Sequence, residues 1–136
     1  MTALTFRLRK HADYQRVYKA SRKQFGKQMS YFFALRSPAA ESAGANPSEI
    51  PGPRVGLTVG KVMGKAVDRN RIKRRMREAI RGQLSLLQSP VDVVLHPRRA
   101  VIDLDFKLLE REVATVFRSI EKASRQQAGQ VPPAQG

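Results

Sequence analysis

KVMGKAVDRNRIKRRMREAIR, residues 61–81, is the stretch from which the rest of the chain can be read. In the run Arg69, Asn70, Arg71, Ile72, Lys73, Arg74, Arg75, Met76, Arg77, seven of nine residues are polar and six are cationic. Placed at about 100° per residue, Ile72, Met76, Ala79, Ile80, Gln83 and Leu87 form one stripe, and Asn70, Arg71, Arg74, Arg77 and Arg81 lie opposite. The pattern predicts an amphipathic helix with a cationic outer face. No Pro or Gly interrupts residues 65–80, and Asp68 suits the positive end of a helix dipole. Arg69 and Lys73 fall near the apolar stripe, so they are expected to project past the first turn.

Like charges at i,i+4, such as Arg71/Arg75 and Lys73/Arg77, repel by a few tenths of a kcal/mol per pair, roughly. A solvated helix face normally mixes signs, whereas residues 61–81 set nine Lys and Arg against Asp68 and Glu78 alone. An anionic partner is therefore expected. The whole chain says the same: 136 residues carry a net charge of +15, which favours nucleic acid, with an acidic membrane surface as competitor. No apolar run is long enough to span a bilayer, and the cations among residues 1–10 interrupt any signal-peptide core. A cytoplasmic protein is expected. With no Cys, thiolate metal sites and cysteine nucleophiles are excluded. His11 and His96 stand alone and read as ordinary surface or packing residues.

The length suits one domain, expected over residues 1–122. Residues 8–20 read as a helix presenting Tyr14, Val17 and Tyr18 on one face, among Arg9, Lys10, Arg16 and Lys19. The tyrosines fit either core packing or a cation-rimmed platform for stacking unpaired bases. Residues 21–28 read as a loop or short edge strand. Residues 29–36 read as a strand with Tyr31, Phe33 and Leu35 on one face and Phe32 and Ala34 on the other. Residues 37–53, SPAAESAGANPSEIPGP, hold four Pro, two Gly and no Lys or Arg, and predict a flexible insertion. Residues 54–60 read as a strand whose second face, Gly56, Thr58 and Gly60, is nearly bare. Residues 91–95 give another short strand, so strand, basic helix and strand suggest a βαβ unit with parallel strands. Asp105 can cap a last helix running to about Lys122, and residues 123–136 read as a disordered tail.

RVGLTVGKVMGKAVDRNRIKRRMREAIR, residues 54–81, resembles the signature region of the bacterial ribonuclease P protein subunit, whose hallmark is an Arg-Asn-Arg helix after an Arg-Val-Gly-Leu-Thr-Val type of strand. Leu8, Arg9 and Lys10 with Tyr14 and Tyr18 resemble the family's first helix, and Arg98 and Arg99 before Asp103, Leu104 and Asp105 resemble its basic turn, so the likeness spans roughly residues 6–122. The resemblance implies an α/β (α+β) two-layer sandwich of order αβββαβα with a left-handed βαβ crossover, against the usual rule. It also implies a partner, the ribonuclease P RNA, with which the protein removes the 5′ leader of precursor tRNA. Mg²⁺ would then be bound by the RNA, with no catalytic residue or metal on the protein, which is expected to be a monomer when free. Catalytic RNA is expected on Lys61, Lys65, Arg69, Asn70, Arg71, Lys73, Arg74 and Arg77. The leader is expected in a cleft of Tyr14, Tyr18 and Phe33 rimmed by Arg9, Lys10 and Lys19. Three departures stand out: Tyr where Phe is common at 14 and 18, Val62 where a second Lys often stands, and the long insertion.

Two other classes remain in play. A ribosomal or RNA-chaperone protein would coat structured RNA without affecting leader removal. A protein-only nuclease would need clustered carboxylates to hold hard cations, and the acidic residues show no such spacing.

Overall fold

The computed structural model describes residue 8, residues 10–35 and residues 52–129. The elements run α1 (His11–Ala20), β1 (Gln24–Phe25), β2 (Met29–Leu35), β3 (Arg54–Leu57), α2 (Ala66–Gln83), β4 (Val91–Pro97) and α3 (Phe106–Gly129), with 3₁₀ turns at Lys61–Met63, Leu84–Leu86 and Arg99–Ile102. This is the αβββαβα order. The strands lie as β1-β2-β4-β3. β2 runs antiparallel to β4, with Phe32 opposite Val94, and β3 runs parallel to β4, with Val55 opposite Val93. The βαβ unit expected around the basic helix is present.

Side-chain alternation divides the sheet between two unequal cores. Tyr31, Val55, Val91, Val93 and Leu95 face α2 and α3, which bring Ile72, Met76, Ala79, Ile80, Leu109, Val113, Phe117 and Ile120. Ile72, Met76 and Phe117 are wholly buried there, and each such side chain contributes about 1.5–3 kcal/mol of transfer free energy. On the other face α1 lies across the sheet, closing a small cluster of Leu8, Val17 and Val94 with Tyr14, Tyr18, Phe32 and Ala34 against it. β4 is covered on both faces, which explains its nearly continuous apolar run.

Boundaries differ from the sequence reading in four places, the first being β4, which runs two residues past the expected end at Leu95 to Pro97. α1 begins at His11, because the Leu8 N–H donates to the Val55 carbonyl at 3.0 Å and Lys10 is still extended at φ −81, ψ 136. β3 stops at Leu57, where the chain turns toward α2. α3 runs to Gly129, past the expected end at Lys122 and into the segment read as tail. Ser124 is buried, and Arg125 Nε donates to Glu121 Oε2 at 2.8 Å one turn back, so packing and an i,i+4 ion pair extend the helix. Asp105 caps it as expected, its Oδ2 accepting the Lys107 N–H at 3.2 Å. Residues 37–51 of the insertion and residues 130–136 lie outside the described residues.

Candidate RNA interface

The approach to α2 is a tight, cross-braced loop. Gly64 has φ +122, a backbone conformation that favours glycine. A Cβ there would stand 2.8 Å from Arg99 Nη1 and 3.0 Å from Asp68 Oδ2. Arg99 Nη1 donates to the Met63 carbonyl at 3.1 Å, its Nη2 lies 3.9 Å from Asp68 Oδ2, and Arg69 Nε donates to the Gly64 carbonyl at 3.2 Å. Arg69 thus reaches back past the first turn, as its place beside the apolar stripe predicts. Lys61 and Lys65 are exposed on this loop, Asn70, Arg71 and Arg74 are exposed on α2, and Arg69, Lys73 and Arg77 are partly exposed. All eight expected positions therefore fall on one loop and helix. Val62 and Val67, 87% and 68% exposed, stand bare among them.

Arg75, in the same cationic run, is a structural residue. Its Nε donates to the Val101 carbonyl at 3.0 Å, its Nη2 donates to the Leu104 carbonyl, and its guanidinium lies 5.8 Å from the Phe106 ring centroid. It fastens α2 to the start of α3. The signal in the sequence is its spacing of three from the wholly buried Ile72, which turns it toward the packed side.

On the α1 face the structure brings Tyr14 and Tyr18 together with Phe32, not Phe33. Phe33 shares the opposite face with Tyr31, stacked at 6.5 Å, and packs against the α2 and α3 core. A strand's period of two sends neighbours to opposite faces, so placing Phe33 in the cleft is corrected to Phe32. Both tyrosines are half-buried. The Tyr14 hydroxyl donates to the Leu8 carbonyl at 3.2 Å, and its ring lies over Gly56. Tyr18 meets Phe32 edge-on at 4.9 Å, and its hydroxyl is hydrogen-bonded to Thr58 Oγ1 at 3.2 Å and His96 Nε2 at 3.1 Å. The bare face of β3 is thus filled by tyrosine hydroxyls. Burial holds the His96 imidazole below its ordinary range, and Lys23 adds to the effect. Lys10 and Lys19 are exposed at the ends of α1, and Arg9 lies outside the described residues.

Sequence reading missed the ion cluster that seats α1. Arg54 grips the wholly buried Asp92 through Nε to Oδ1 and Nη2 to Oδ2, both 2.8 Å. Arg16 also reaches Asp92 Oδ2, while Asp13 lies 3.5 Å from Arg54 and 3.4 Å from Arg16. A lone Asp in the apolar strand VDVVL was the available signal, since a buried carboxylate requires a cation. Among the described residues no group of three or more His, Asp or Glu side chains could hold a metal ion, and no helix is long and apolar enough to cross a membrane.

Together these features define an α/β protein built around a cationic helix, with aromatic rings half-open on the opposite sheet face. The ribonuclease P family model matches residues 4–121. The ribonuclease P protein component of Bacillus velezensis is 33% identical over 112 residues, covering 82% of this chain and 86% of the relative. That of Chromohalobacter salexigens is 36% identical over 124 residues, covering 90% and 87%. The chain belongs to the family of ribonuclease P protein components, whose work is tRNA processing. The Staphylococcus aureus RNase P protein superposes with a TM-score of 0.65 at 26% identity, covering 85% of this chain and 95% of that one. The Thermotoga maritima RNase P protein gives 0.67 at 23% identity, covering 85% and 97%, a likeness of fold.

Proposed function

We propose that α2 and its approach loop seat the ribonuclease P RNA, and that the half-open rings beside α1 hold the unpaired 5′ leader of precursor tRNA. The observation that carries this is the gathering of Lys61, Lys65, Arg69, Asn70, Arg71, Lys73, Arg74 and Arg77 on one loop and helix, in a chain of the ribonuclease P family. Many cations without a planar pattern for particular bases suit phosphate contacts, which position an RNA without reading its sequence. On the other face Tyr14, Tyr18 and Phe32 offer π-surfaces, and Lys10 and Lys19 offer charge to the backbone. Stacking tolerates any base, which suits a protein that meets many precursors. In this reading the RNA subunit carries the catalytic centre and its Mg²⁺, and the protein, a monomer when free, works in the cytoplasm.

The test is to add the protein to a bacterial ribonuclease P RNA at low Mg²⁺ and follow 5′-leader release. Faster release is expected. No effect would leave a protein that only coats RNA, and cleavage by the protein free of RNA would place the chemistry on its own side chains. Tyr18→Ala should cost about 1–3 kcal/mol in holoenzyme affinity for precursor and much less for mature tRNA. Equal losses for both would defeat the leader assignment.

A further inference from the structure

α3 sorts its charges by direction. At about 100° per residue, Lys107, Arg111, Arg118, Lys122 and Arg125 fall within an arc of about 60°, on the side away from the buried Leu109, Val113, Phe117 and Ile120. All five cations are exposed. From Lys107 to Arg125 the stripe extends about 27 Å, at 1.5 Å per residue.

The acids of the same span, Glu110, Glu112 and Glu121, lie off this arc and are engaged elsewhere. Glu112 Oε2 accepts the Gln28 N–H at 3.0 Å, and Glu121 Oε1 accepts the N–H groups of Gln88 and Ser89 at 2.9 and 3.0 Å. Glu110 leans toward α2, where a Cβ on Gly82 would stand 3.6 Å from its Oε2. The carboxylates thus fasten α3 to its neighbours and leave the cations without counter-charge. Arg125 pairs with Glu121, but Lys107, Arg111, Arg118 and Lys122 take part in no ion pair or side-chain hydrogen bond among the described residues. Lys107/Arg111 and Arg118/Lys122 stand at i,i+4, where like charges repel.

We propose that this stripe is a second RNA surface, separate from α2 and from the rings beside α1, and that it takes the phosphate backbone of a double-helical segment. Single strands are held on aromatic platforms, and the stripe presents no ring. Paired RNA is recognised by its shape and backbone. Gln83 and Thr115 line the same hollow as Lys107, Arg111 and Arg118, and such neutral donors also bond phosphate oxygens. A membrane fits poorly, because a helix lying on lipid buries its apolar face there, and that of α3 is used by the core. The paired segment belongs either to the ribonuclease P RNA or to the body of the tRNA, which carry the same backbone.

The test is binding of the full chain to a fully paired RNA hairpin across a range of salt. Replacing Lys107, Arg111, Arg118 and Lys122 together by Gln should flatten the slope of log K against log salt by about 3 to 4. The charge-retaining set Lys107→Arg, Arg111→Lys, Arg118→Lys and Lys122→Arg should restore it. In the wild type the hairpin should shift the amides of residues 107–125, a readout that decides the matter even if the quadruple Gln variant melts early. A slope change below about 1, or shifts confined to α2 and its approach loop, would overturn the proposal and point the stripe toward an acidic protein. Weaker assembly of the Gln variant with ribonuclease P RNA would place the duplex in that RNA, and normal assembly with weaker holoenzyme binding of mature tRNA would place it in the tRNA. No change in either would also overturn the proposal. Arg71→Ala with Arg74→Ala should leave the α3 shifts in place, so failure of the α2 reading is told apart from failure of this one.

Discussion

At Gly56 a Cβ would meet the Tyr14 hydroxyl at 2.3 Å, so the depth at which α1 settles on the sheet depends on that position carrying no side chain. Gly56→Ala should push the Tyr14 ring outward and break its bond to Leu8, lowering stability by about 1–3 kcal/mol as measured by urea unfolding. The same crowding explains why the tyrosine hydroxyls matter. Tyr18→Phe removes a partner from both Thr58 and His96, and should cost about 0.5–1.5 kcal/mol of stability. Glu121 gives a prediction in pH. Burial raises its carboxyl, but Arg125 and the N–H groups of Gln88 and Ser89 outweigh this and hold it below the usual 4.5. A group lowered in the folded state contributes stability above its unfolded value and loses it as pH falls through the folded one. The melting-temperature gap between wild type and Glu121→Gln should therefore be widest at neutral pH and shrink below about pH 4.5. An unchanged gap at pH 3 would show that the carboxylate bonds contribute nothing. At this scale the sequence was legible where a residue type has one role, such as Asp105 as a cap. It was opaque where pairing decides, as with Arg54 and Asp92, thirty-eight residues apart in the chain.

Within α2 neighbouring arginines do opposite work, which composition hides and helical geometry reveals. Arg71 and Arg74 face solvent, while Arg75 spends its guanidinium on the Val101 and Leu104 carbonyls. Arg71→Ala with Arg74→Ala should weaken binding to ribonuclease P RNA and leave thermal unfolding nearly unchanged. Arg75→Ala should instead cost about 1.5–3 kcal/mol of stability. A double mutant that melts early, or an Arg75→Ala that does not, would invert these roles. The helices themselves were legible, because the stripe of Ile72, Met76, Ala79 and Ile80 is a period that nothing but a helix satisfies. The end of α3 was not. Residues 123–129 lack a strong apolar pattern, and their helix depends on Ser124 packing and the Glu121 to Arg125 pair.

Across the molecule, charge and topology were unequally readable. The net charge needs no fold to be counted, and it makes RNA binding strongly dependent on salt. If 6 to 10 phosphates are neutralised, affinity should fall about 10³- to 10⁵-fold between 50 and 200 mM salt, measured by filter binding. A flat plot of log K against log salt would refute a phosphate-dominated interface. Sheet order could not be counted in this way. That β4 lies between β2 and β3 follows from which hydrogen-bonding edges meet, and local patterns constrain that only through the parallel βαβ unit. The aromatic face shows the same division: alternation along β2 correctly separates Phe32 from Phe33, but only the packing of Val17 and Tyr18 against Phe32 shows that α1 covers that side.

The central place of β4 has a consequence for the chain as it is made. Translation delivers β1, β2, β3 and the basic helix first, and the strand that joins β2 to β3 comes last. At about 5–20 residues per second, the interval between the end of α2 and the end of β4 is on the order of one second. During that time the most cationic segment emerges from the ribosome with no sheet to pack upon. Its positive charges repel, its apolar stripe is uncovered, and ribosomal and messenger RNA surround it. The nascent protein thus displays its anion-seeking helix before it has a fold to hold it.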